Sequence, residues 1–96
     1  MQYKTVNTLT ALDESTDSLI PVKSVRIRQL VNLSITGTFA GTIALQRKFR
    51  NTADWLTTDT FTVPTESSFE ATEPNVEYRL TMEAYTSGSA EARLSY

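Results

Sequence analysis

The side chains able to do acid–base, nucleophilic or metal chemistry in this chain are few in kind. Histidine and cysteine are both absent. That removes the commonest general base, the Ser/His and Cys/His nucleophile pairs, the commonest transition-metal ligand, thiolate sites and disulfides. What remains is eleven carboxylates, nine cations and many hydroxyls, sixteen of them on threonine. Eleven carboxylates always allow two to meet in space, yet no spacing marks an acid/base pair of the glycosidase kind. Asp13, Glu14 and Asp17 lack the alternate-residue spacing and glycine of a calcium loop and read as a solvated loop. No SxxK spacing and no phosphate-cradling glycine loop occurs. The expectation is a protein that is not an enzyme and holds no cofactor and no metal.

The charges are unevenly placed. Between Ser18 and Ala53 there is no acid, and Lys23, Arg26, Arg28, Arg47, Lys48 and Arg50 stand there as six cations. The rest of the chain sets all eleven acids against Lys4, Arg79 and Arg93, so the net charge of −2 and pI near 5.0 conceal opposed regions. Opposed regions can draw copies together head to tail; the alternative is a solvated strand face with charges scattered along it. Nucleic-acid binding is disfavoured by the acidic pI and by the lack of interleaved exposed aromatics. Candidate partner contacts are Arg26, Arg28, Arg47, Lys48, Arg50 and Tyr85. Trp55, the sole tryptophan, could stack on a sugar or anchor an interface, but is expected to fill the core beside Phe49 and Leu45.

Strands must position these groups. Residues 1–17 are polar with apolar points at Val6, Leu9 and Leu12, and read as an N-terminal arm or a first edge strand ahead of one domain over 18–96. The start lacks the basic-then-apolar layout of a signal peptide, and no apolar run is long enough to span a membrane as a helix. Pro21 makes Leu19–Val22 an edge piece, since proline donates nothing to a ladder. From Val25 the apolar residues Val25, Ile27, Val31, Leu33 and Ile35 alternate with polar ones: one long strand, or two with a bulge at Leu30. Gly37 and Gly41 bracket a predicted chain reversal. Ile43, Leu45, Arg47 and Phe49 share a face of the next strand. Short strands are expected from Trp55-Leu56, at Phe61–Val63 before Pro64, and at Phe69, with a turn at Glu73-Pro74-Asn75.

The end of the chain reads as a hairpin. Val76, Tyr78, Leu80, Met82 and Ala84 would face inward on its first strand, and Ala90, Ala92, Leu94 and Tyr96 on its second. A Thr86-Ser87-Gly88 loop keeps these faces in phase, pairing Ala84 with Ala90, Met82 with Ala92, Leu80 with Leu94 and Tyr78 with Tyr96. Tyr85 is then the one tyrosine of this hairpin pointing outward. About seven or eight short strands with regular turns give an all-β chain, an antiparallel β-sandwich of immunoglobulin-like or small jelly-roll type, with a partly open barrel as the lesser option. A single domain of ninety-six residues is marginal alone and gains from self-association.

The run Leu33-Ser34-Ile35-Thr36-Gly37-Thr38-Phe39-Ala40-Gly41-Thr42-Ile43-Ala44-Leu45-Gln46-Arg47, with Phe49 and then Trp55, resembles small β-sandwich virion proteins of tailed bacteriophages. So does the ending, Tyr78-Arg79-Leu80 followed by Tyr85-Thr86-Ser87-Gly88-Ser89-Ala90. The resemblance covers the chain from Leu33 onward. It departs at Arg50-Asn51-Thr52-Ala53-Asp54, where such sequences often carry an Asp-Gly-Gly-like turn before the tryptophan. It implies a non-enzymatic virion part made in the host cytoplasm: a capsid decoration or cement protein, or a tail- or fibre-associated module. Its partners would be capsid or tail proteins and further copies in a symmetric homo-oligomer. A carbohydrate-binding module, using exposed Trp55 or Tyr85, is the alternative.

Overall fold

A computed structural model of the chain describes residues 4–20, 29–49, 52–71 and 76–96. The protein is all-β, with its strands antiparallel in one sheet. The strands are β1 (Lys4–Leu9), β2 (Gln29–Phe49), β3 (Leu56–Phe61), β4 (Thr65–Ala71) and β5 (Val76–Ser95). The sheet order is β1-β5-β2-β3, and β4 also pairs with β2. The readings placed on Pro21, Val25, Ile27 and the Glu73-Pro74-Asn75 turn lie outside the described residues.

Two long strands form the spine. β2 and β5 pair from Phe49↔Val76 at one end to Asn32↔Ser95 at the other. Both predicted reversals are therefore overturned: β2 continues unbroken through Gly37–Gly41 and β5 through Thr86–Gly88, and the closing hairpin does not form. Ala84 pairs with Thr42, Met82 with Ile43, Leu80 with Leu45 and Tyr78 with Arg47. The glycines serve close approach instead of a loop. Gly37 and Gly88 hold φ of +106° and +88°, and a Cβ on Gly88 would stand 2.2 Å from the Thr38 carbonyl oxygen. On Gly41 it would stand 2.3 Å from that of Ala84. Register shifts at Ala40/Gly41 and at Thr42/Ile43 add bulges here. Bulged strands bend and twist more strongly.

The bend is large. Val31 pairs with Phe69 and Arg47 with Tyr78, and a straight strand from Val31 to Arg47 would separate those partners by roughly 50 Å. Instead the Phe69 and Tyr78 rings meet with centroids 4.9 Å apart. The β2–β5 ribbon doubles back at its glycine-rich middle, so its two halves share one core. Val31, Leu33 and Ile35 from one half and Ile43, Leu45, Tyr78, Leu80 and Met82 from the other belong to a single buried cluster. Full burial of a leucine such as Leu80 contributes about 2–3 kcal/mol of stabilisation.

Long strands account for the other differences. Among the described residues there are five strands where seven or eight short ones are expected, because β2 and β5 each pass through both halves. Leu56 and Phe61 bound one strand, β3, and Val63 lies in the exposed turn after it. The bulge opposite Thr42/Ile43 leaves Glu83 without a cross-strand register partner on β2 and shifts the phase, so Ala84 is exposed. Residues 13–19 close the outer side of β5: Asp13 N–H donates to Met82 O (2.8 Å), Thr16 N–H to Leu80 O (2.9 Å), and Leu19 exchanges two bonds with Tyr78.

Candidate partner-binding surface

Trp55 precedes β3 and is half-buried, not part of the central cluster. The expectation that it fills the core beside Phe49 and Leu45 is corrected. Phe49 itself is 45% exposed, and the face available to Trp55 is the outer face of β2 and β5, where side chains are polar. The Arg79 guanidinium lies 4.3 Å from the centroid of its ring and the Lys48 ammonium 5.4 Å. Burial holds the Arg79 guanidinium below its ordinary range.

A ladder of side-chain hydrogen bonds runs beneath Trp55 across the sheet. Gln46 Oε1 accepts from Arg79 Nε (2.9 Å) and from Thr81 Oγ1 (3.1 Å), while Gln46 Nε2 donates to Thr57 Oγ1 (3.3 Å). Thr57 in turn donates to Glu83 Oε2 at 3.4 Å, and Thr81 shares a hydroxyl–hydroxyl bond of 2.8 Å with Ser15. The network ties β3, β2, β5 and the 13–19 segment together. Its amide and hydroxyl groups bond to one another, which suits a structural clamp.

The proposed contact residues are placed unequally. Arg26, Arg28 and Arg50 lie outside the described residues. Lys48 is engaged with Glu77 (3.9 Å), with the Thr52 carbonyl (3.3 Å) and with Trp55. Arg47 is exposed, and its side chain makes no ion pair with the described residues. Tyr85 was expected to point outward; it is half-buried against the core because of the phase shift, and its hydroxyl donates to Gly88 O at 3.0 Å.

Arg47 and Lys48 do meet in one place. With Phe49, Thr52, Asp54 and Leu56 they line an open groove of about 270 Å³ at the end of the sheet. Leu56 is 65% exposed, and Thr52 donates from N and Oγ1 to Phe49 O. The acid-free basic stretch points to Arg47 as a contact, but does not reveal its exposed apolar neighbours Phe49 and Leu56. Only the pairing of Arg47 with Leu56 brings them together.

Among the described residues no group of three or more Asp and Glu side chains is placed to hold a metal ion. Glu14 accepts from the Thr10 N–H and hydroxyl, which holds its carboxyl below the ordinary range. This closes the bend after β1.

No family model, no curated protein and no solved structure matches this chain.

Proposed function

We propose that this protein is a non-enzymatic structural module that self-associates and docks on the surface of a protein particle. The specific form implied by the sequence resemblance is a virion part of a tailed bacteriophage, a capsid decoration or tail-associated protein. The observation that carries the docking reading is the groove at the end of the sheet. Phe49 and Leu56 are exposed apolar groups, and exposed Arg47 stands between them as a cation. Apolar surface rimmed by charge on a small domain is the usual mark of a protein contact. The doubled-back ribbon supports a finer fold reading, a β-sandwich in which each long strand supplies one segment to each layer.

The glycan-binding alternative needs an aromatic platform open to solvent. Arg79 lies over the Trp55 ring, and Tyr85 packs on the core, so the structure favours the protein-contact reading. The test is sedimentation of the protein with and without purified capsids or tails of the phage that encodes it. Co-sedimentation lost in Arg47→Glu and Leu56→Ser, with both variants folded, is the expected result. Failure of the unaltered protein to co-sediment with either particle would overturn the docking role.

A further inference from the structure

The outer face of the other half of the sheet carries a second surface, and its charges are arranged for a copy of this chain. Cross-strand partners share a face, and the register sets Val6, Arg93, Ser34 and Glu66 in one row across β1, β5, β2 and β4. The next row holds Lys4, Ser95, Asn32 and Ser68. Asn32, Ser34, Glu66, Arg93 and Ser95 border an open polar groove of about 370 Å³. In these two rows the side chains apart from Arg93, Lys4 and Glu66 are short, with Glu91 and the Leu30–Glu70 pair flanking them on the same face, so another sheet can approach the rows closely at little cost in side-chain entropy.

Arg93 and Glu66 flank Ser34 on either side, one strand away each, so their Cα atoms are about 9.6 Å apart. Both are exposed, and no ion pair joins them. The geometry points to an isologous dimer in which this face packs on itself, which deepens and rests on the self-association proposed above. A two-fold axis running along β2 above Ser34 carries β5 of one copy over β4 of the other. Each Arg93 then faces Glu66 of the second copy, and the pair forms twice. An axis across the strands would set Arg93 on Arg93, so the charges choose the orientation. Leu30, 51% exposed on the same face of β2, adds an apolar contact near the axis.

The patch spans four strands, roughly 20 Å by 20 Å, which is at the small end of specific interfaces. The dimer is therefore weak and sensitive to salt, and calls for measurement at high protein concentration.

The experiment is sedimentation equilibrium of the whole chain and of Arg93→Glu and Glu66→Arg, each alone and mixed one to one, at low and moderate salt. Near-ultraviolet circular dichroism verifies that each variant is folded. The expected result is a salt-sensitive dimer for the unaltered chain, about tenfold or more weakened in either single variant. Mixing the two variants restores dimers, because each charge again meets its opposite across the axis. An unaltered chain that oligomerises while both variants do so equally well overturns this face and leaves self-association standing. Weakened variants that stay apart on mixing overturn the two-fold arrangement. An unaltered chain that is monomeric at every concentration overturns both.

Discussion

Replacing Gly88 by asparagine separates a hairpin loop from a continuous strand. In a loop, a left-handed asparagine is tolerated at little cost, because its short polar side chain suits that backbone. In the structure, Gly88 sits opposite Phe39 in the middle of β5 with φ of +88°. A Cβ there would lie 2.2 Å from Thr38 O and 2.8 Å from the Phe39 Cα, both backbone atoms that cannot rotate away. Overpacking in a tight site costs about 1–3 kcal/mol, and a non-glycine residue at positive φ adds about 1 kcal/mol. The sum, about 2–4 kcal/mol, is a large part of the roughly 5–10 kcal/mol that holds a small domain folded. Urea unfolding followed by Trp55 fluorescence measures it, with exposed Ser87→Ala as a control expected within about 0.5 kcal/mol of the unaltered protein. A Gly88→Asn variant within about 1 kcal/mol of the unaltered protein would refute the close approach of β5 to β2 at this point.

Other perturbations test other levels. Leu80→Ala, in the centre of the shared core, should cost about 2–5 kcal/mol in the same urea assay, whereas Leu56→Ala on the exposed groove should cost about 0.5 kcal/mol or less. Arg79→Ala removes both the guanidinium over Trp55 and the bond to Gln46; a loss of about 1–2 kcal/mol and a red shift of Trp55 emission are expected, and an unchanged spectrum would contradict the stacking. Glu14 has its carboxyl held below the ordinary range by Thr10, so its contribution is present at neutral pH and fades as pH falls through that lowered folded-state value. Thermal melts from pH 6 downward should show a shallower acid-side decline for Glu14→Gln than for the unaltered protein; identical slopes would remove the role assigned to that carboxylate.

Alternation of apolar and polar residues carried a good deal of the fold. Val31, Leu33 and Ile35, then Val76, Tyr78, Leu80 and Met82, and finally Ala90, Ala92 and Leu94 face inward in the sequence reading and are buried in the structure. A period of two is a local property, written in each strand by its own residues, and tertiary contacts do not alter it. The chemistry that histidine and cysteine would provide is likewise settled by composition. The surface was less legible: Arg47 and Lys48 were singled out, but their surroundings come from Trp55, from Leu56 on β3 and from Glu77 on β5, which only strand pairing brings beside them.

Tertiary structure alone decided which segments pair. Gly37, Gly41 and Gly88 satisfy the local demands of a turn and of a close backbone approach equally well, because both need a residue without a Cβ. The choice falls to the long β2–β5 ladder, whose many backbone bonds and shared core outweigh a local hairpin. The same ladder, with its bulges, moves Ala84 and Tyr85 out of their expected phase and places Trp55 under two cations on the outer face. Period and composition are set by neighbours along the chain. Register, bend and the company each side chain keeps are set by partners across space.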